Sequence, residues 1–305
     1  MQDLHERFNG VFTALVTPFK DGAVDMAAYD ALVERQIEAG VAGLVPVGTT
    51  GEAATLSDEE ADALIARTVK LAAGRVLVMA GAGANDTKKT VEKVKRAEKA
   101  GADAVLIVTP YYNKPTQAGL IAHYGAAAEA TSLPVMLYSV PGRCGVEIAP
   151  ETCAALLDRH DNIVAIKEAG GSAARVTQLR AACGERLVIH SGDDGLTLPF
   201  LSLGAVGVTS VVANVAPHEM VQLVEAWRAG DTARALALHD LIAELTDGMF
   251  IESNPGPVKA ALALSNLAGP EMRLPMVPVS AANRDRLAGI LGRFASASAA
   301  FQEMR

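Results

Sequence analysis

Thr87-Lys-Lys-Thr-Val-Glu-Lys-Val-Lys-Arg-Ala-Glu-Lys99 runs through Ala100-Gly101 into Ala104-Val-Leu-Ile-Val108. In the first part, eight charged side chains surround Val91, Val94 and Ala97, the pattern of a helix with a solvated face. Gly101 tolerates the left-handed backbone that commonly ends a helix. The apolar run that follows is short and nearly continuous, as in a parallel strand covered on both faces. The same unit recurs: Gly40 precedes Gly43-Leu-Val-Pro-Val47, and Gly74 precedes Val76-Leu-Val-Met-Ala80.

Working outward, Ser57 and Glu60 form a capping box ahead of Leu64, Ile65 and Leu71. Tyr29, Leu32, Val33 and Ile37 recur at helical spacing, with Glu34, Arg35 and Glu38 expected outward. Eight strand runs result: Val11–Thr17, Gly43–Val47, Val76–Ala80, Ala104–Val108, Val135–Tyr138, Ile163–Lys167, Leu187–Ser191 and Gly207–Val212. Separated by helix-length segments, they predict an α/β fold, a (β/α)8 TIM barrel over residues 1–224. An open doubly wound sheet satisfies the same periodicity. Beyond Pro217 the strand runs cease. Glu219–Arg228, Thr232–Leu245, Val258–Leu264 and Ala281–Phe294 read as helices, so a C-terminal helical extension is expected over residues 225–305.

The 305 residues carry a formal net charge of -8 with 4% aromatics, which argues against a nucleic-acid surface. Cys144, Cys153 and Cys183 are odd in number and lack Cys-x-x-Cys spacing, favouring a reducing compartment. The first residues mix charges without an apolar stretch, and no run suggests a membrane span. A cytoplasmic protein is expected.

In such barrels the chemistry sits at the carboxyl ends of the strands. Gly48-Thr-Thr-Gly-Glu52 follows the second strand and Thr109-Pro-Tyr-Tyr-Asn-Lys-Pro115 the fourth. Tyr138, then Val140-Pro-Gly-Arg143, ends the fifth, Lys167-Glu168 the sixth and Ser191-Gly-Asp-Asp194 the seventh. Lys167 closes an apolar run, whereas most other lysines lie in charged stretches. A free lysine has a pKa of about 10.4. A site that excludes water favours the neutral amine, which is then free to attack a carbonyl. The plain alternative is a strand-end lysine that reaches solvent or pairs with Glu168. The Thr49-Thr50 turn offers amides and hydroxyls to a carboxylate, or is an ordinary turn. Tyr138 and Tyr112 can pass protons, or can be amphipathic residues at a core edge. Arg143 can clamp a carboxylate, or be an exposed turn residue. Asp193-Asp194 with Glu168 lacks ligand-like spacing to His190 and His218, and no metal site is assigned. Gly81-Ala-Gly83 lacks the rest of either phosphate-binding fingerprint.

Taken in order, Gly48-Thr-Thr-Gly-Glu52, Tyr111-Tyr-Asn-Lys-Pro115, Tyr138-x-Val-Pro-x-Arg143, Ile166-Lys-Glu168 and Ser191-Gly-Asp-Asp194 resemble the dihydrodipicolinate synthase and N-acetylneuraminate lyase family of class I aldolases. Phe250-Ile-Glu-Ser-Asn-Pro255 and Leu274-Pro-Met276 extend the resemblance over nearly the whole chain. It implies pyruvate held as a Schiff base on Lys167, its carboxylate on Thr49-Thr50, and a proton relay of Tyr138, Thr49 and Tyr112. Tyr112 is expected from the neighbouring subunit of a homodimer, or of a homotetramer built as a dimer of dimers. The Arg143 motif points to the branch that condenses pyruvate with aspartate 4-semialdehyde, the first committed step of diaminopimelate and lysine biosynthesis. Arg143 would hold the semialdehyde carboxylate, and Gly192 and Thr209 would line the pyruvate pocket. No metal or organic cofactor is implied, since the protonated imine acts as electron sink. The alternatives are a 2-keto-3-deoxy sugar acid aldolase, an N-acetylneuraminate lyase, or a non-catalytic 2-oxo acid sensor. Cys144 departs from the threonine common at that place. Asp58, Ala61 and Lys89 stand where lysine-inhibited members bind their effector, and Lys89 would repel its ammonium. Weak or absent inhibition by lysine is expected.

Overall fold

The computed structural model describes residues 5–303. Its principal strands are β1 (Gly10–Ala14), β2 (Gly43–Val45), β3 (Leu77–Gly81), β4 (Ala104–Val108), β5 (Val135–Ser139), β6 (Ile163–Glu168), β7 (Val188–Ser191) and β8 (Gly207–Ser210). Each pairs in parallel with the next, and β8 pairs with β1 from Gly10↔Gly207 to Thr13↔Ser210. That last ladder closes the barrel and eliminates the open sheet. A Cβ at Gly207 would lie 2.0 Å from the Gly10 carbonyl oxygen, so glycine permits the close approach there.

The layer outside the barrel comprises α1 (Met26–Glu38), α2 (Asp58–Ala72), α3 (Thr87–Lys99), α4 (Gln117–Ala128), α5 (Pro150–Leu157), α6 (Ala174–Cys183), α7 (Thr197–Ser202) and α8 (Pro217–Arg228). The α2 capping box is formed on both sides, Ser57 to the Glu60 amide and Glu60 to the Ser57 amide. Two details differ from the sequence reading. Ala73, ahead of Gly74, already takes the left-handed conformation, at φ 47°. Arg35 turns inward: its guanidinium donates to the carbonyls of Asn214 and Val215, within reach of its long, flexible stem.

Three helices follow: α9 (Thr232–Gly248), α10 (Gly256–Leu264) and α11 (Ala281–Glu303). The boundary expected near residue 225 falls inside α8. α9 packs on α8 and α11, and α10 on α11. No helix among the described residues is long and apolar enough to cross a membrane.

Side-chain alternation along each strand divides the core. Val11, Leu44, Ala80, Ile107, Leu137, Ile166, Ile189 and Val208 face the helices. Phe12, Val45, Met79, Leu106, Met136, Ala165 and Val188 fill the barrel interior. Each buried aliphatic side chain contributes roughly 1.5–3 kcal/mol. Lys167 shares the phase of Ala165, so the strand itself aims the lysine into the barrel.

Candidate active site

Lys167, the fifth residue of β6, is only 5% exposed. Its register partners are Tyr138 on β5 and His190 on β7. Lys167 Nζ sits 4.3 Å from the centroid of the Tyr138 ring. Both line a cavity of about 440 Å³ with Thr49, Thr50, Arg143 and Gly192. Six of the eight site residues expected from sequence therefore surround one space, at the carboxyl ends of the strands.

Each wall has a local cause. Thr50 is buried, and Asn254 Nδ2 donates to its hydroxyl oxygen at 3.0 Å. That bond leaves the Thr50 hydrogen free to donate to an anion. Arg143 is exposed, and its Nη2 donates to the Asn254 carbonyl at 3.0 Å. Gly192 follows β7 directly; a Cβ there would lie 2.6 Å from Ala169 Cβ and 3.1 Å from Lys167 Cε. Only glycine leaves the lysine stem where it stands.

The remaining two lie elsewhere. Thr209 is buried with its hydroxyl on His190 Nδ1, at 3.2 Å; Val211, two residues on, lines the cavity. Tyr112 is 89% exposed and stands outside the cavity, on a left-handed backbone at φ 72°.

Beneath the lysine, His190 is fully buried. Its Nε2 faces the Phe8 carbonyl, which can only accept, so Nε2 carries the hydrogen and Nδ1 accepts from Thr209. Burial foremost, and the nearby Lys167 charge, push the imidazole down to about 4, so it is neutral in the folded chain. Glu168, Asp193 and Asp194 are committed to other partners. Glu168 accepts from the Gly170 amide and pairs with Arg175, while burial pushes its carboxyl above the usual range. Asp194 accepts from the Ser210 hydroxyl and the Val211 and Val212 amides, and Asp193 from the Gly195 amide. These bonds hold the β7 and β8 loops in register around the cavity.

A buried amine, a phenol, two threonines and a guanidinium in one cavity match the chemistry of imine formation. Residues 7–293 match the model of the dihydrodipicolinate synthetase family. The chain belongs to that family. The 4-hydroxy-tetrahydrodipicolinate synthase of Geotalea uraniireducens is 48% identical over 94% of this chain and 99% of its own length. The solved structure of the 4-hydroxy-tetrahydrodipicolinate synthase from Methylacidiphilum fumariolicum superposes with a TM-score of 0.95 at 45% identity, covering 97% of this chain and 99% of that one. The chloride-inhibited dihydrodipicolinate synthase from Acinetobacter baumannii, solved with pyruvate, superposes at 0.92 with 44% identity, covering 94% and 99%.

Residue-level reading missed part of this site. Thr246, Asp247, Phe250 and Asn254, from α9 and the loop before α10, complete the cavity wall. For Phe250 and Asn254 the signal was the family motif Phe250–Pro255. Thr246 Oγ1 and Asn254 Oδ1 are buried and accept or donate no hydrogen bond. The spacing of His190 in the sequence bears only on a metal site, and its place in the barrel interior gives it a different setting.

Proposed function

We propose that this chain is a Schiff-base lyase that condenses pyruvate with L-aspartate 4-semialdehyde to form 4-hydroxy-tetrahydrodipicolinate. The observation that carries the reading is Lys167 Nζ, buried against the Tyr138 ring in a cavity that Thr49 and Thr50 also line. Lys167 Nζ attacks the ketone carbon of pyruvate, and the carbinolamine loses water to give a protonated imine. Loss of a methyl proton leaves an enamine, whose carbon attacks the aldehyde of the second substrate. The substrate's own amine then attacks the imine carbon, closing the ring and releasing the lysine. The imine serves as electron sink throughout, so the lysine supplies what a cofactor would otherwise supply.

The family motif supports the residue roles, and six of the residues share the cavity. Thr49 and Thr50 hold the pyruvate carboxylate with hydroxyl and amide donors. Tyr138, with Thr49, moves protons to and from the imine nitrogen and the nascent hydroxyl. Arg143 meets the semialdehyde carboxylate at the cavity mouth, with Gly192 keeping the lysine stem clear. Tyr112, exposed and remote in its own chain, acts as Tyr112 of the partner subunit in a homodimer, alone or paired into a homotetramer. Thr209 supports the pocket from below through His190. A cytoplasmic setting fits the three buried free thiols.

Borohydride reduction in the presence of pyruvate, followed by peptide mapping, tests the reading. A pyruvate adduct on Lys167 is expected, together with ring-product formation when the semialdehyde is supplied. An unmodified Lys167 beside tight pyruvate binding overturns the mechanism and selects a sensor instead.

A further inference from the structure

The turn that carries Thr49 and Thr50 is strained at both ends. Val47 has φ 58° and Glu52 φ 55°, a left-handed backbone at a β-branched and a long side chain. Such backbone persists only where its surroundings over-determine it. At Glu52 the surroundings are charged and dry. Lys259, on α10, is 1% exposed and donates from Nζ to Glu52 Oε1 at 2.5 Å and to the Thr17 carbonyl at 2.9 Å. The Arg273 amide donates to Glu52 Oε2 at 3.2 Å. The Phe19 ring stands 4.4 Å from both Lys259 Nζ and the Arg273 guanidinium carbon. From the barrel side, Thr17 Oγ1 donates to the Gly51 carbonyl at 2.8 Å. The segment that delivers Lys259 also delivers Asn254 to Thr50.

We infer that Lys259 and Glu52 are positioning residues, whose buried ion pair ties α10 to the Gly48–Glu52 turn and sets where Thr49 and Thr50 meet the 2-oxo acid carboxylate. This rests on the reading of Thr49 and Thr50 given above. Neither residue lies against the reacting atoms. A bare ion pair under a loop offers little reason to recruit a helix more than 200 residues away, and a hydrophobic pair would fill the same space. The strained backbone supplies the reason. Without a fixed anchor at Glu52, the turn relaxes toward an unstrained path and its hydroxyls leave the carboxylate.

The test compares Glu52→Gln, Lys259→Met and the double variant in the full-length protein. Each single variant leaves an uncompensated buried charge and melts early. The double variant removes both charges, so its melting temperature recovers above either single one. Its pyruvate KM stays raised by about tenfold or more, because a displacement near 1 Å is enough to cost that much. The semialdehyde KM stays within about twofold of the parent, since Arg143 is untouched. A double variant with the parental pyruvate KM overturns the inference, and so does one in which both KM values rise together, the mark of general loosening. If the parent itself takes no borohydride-trapped pyruvate on Lys167, the functional reading fails first and the inference falls with it.

Discussion

His190 makes the barrel interior sensitive to acid. Its folded-state value, about 4, lies below the ordinary 6.5 because burial disfavours the imidazolium and Lys167 repels it. The unfolded chain therefore binds a proton that the folded chain refuses, between pH 6.5 and pH 4. A group depressed in this way contributes stability above its unfolded value and loses it as pH falls toward the folded one. Linkage over that window gives a loss of about 2 kcal/mol between pH 7 and pH 5, reaching roughly 3 kcal/mol at pH 4. For a chain of this length, 2 kcal/mol corresponds to a fall in melting temperature of about 3 °C. The perturbation is His190→Gln, whose amide offers both a donor for the Phe8 carbonyl and an acceptor for Thr209 but does not titrate. Thermal melts of parent and variant at pH 7 and pH 5 isolate the effect, because every other titrating group is common to both. The parent is expected to lose about 3 °C more than the variant between the two pH values. Parallel losses would refute the argument and imply that the imidazole is solvated or already charged.

Four further outcomes are expected. Arg143→Ala removes a charge-assisted contact worth about 1.5–3 kcal/mol, so kcat/KM for the semialdehyde falls roughly 10- to 100-fold while Schiff-base formation with pyruvate persists. Gly192→Ala places a methyl 2.6 Å from Ala169 Cβ and 3.1 Å from Lys167 Cε, and borohydride trapping of pyruvate should slow by about tenfold or more. All three cysteines are buried, and burial pushes the Cys144 thiol up to about 11; an aromatic disulfide reagent at pH 8 should label none in the native protein and all three after denaturation. Millimolar lysine should leave turnover unchanged in a steady-state assay. Arg96 already neutralises Asp58 and Asp62, which leaves cationic Lys89 to repel the effector.

The elements were readable where their cause was local. Ala104–Val108 needs no partner to be recognised as a strand, nor Ser57–Glu60 as a helix start. The phase of Lys167 follows from counting along β6. Arg35 was misread because helical spacing describes where a side chain leaves the backbone, whereas a guanidinium on a long stem can return to a carbonyl. Closure was not readable either, because the Gly10↔Gly207 ladder joins residues that periodicity treats as unrelated.

The extension shows the same limit at the site itself. Its helices were visible as helices, yet nothing in their pattern says that Asn254 reaches Thr50 or that Lys259 reaches Glu52. Those pairs span 204 and 207 residues of sequence. A lysine in an apolar helix such as Gly256–Leu264 is costly unless a carboxylate awaits it in the same dry volume. The sequence therefore contained the anomaly, a lone cation among alanines, leucines and valines, without its resolution. Lys167 and Lys259 both break apolar runs in this way. At Lys167 the anomaly marks the amine assigned the chemistry; at Lys259 it marks the anchor of the turn that receives the substrate.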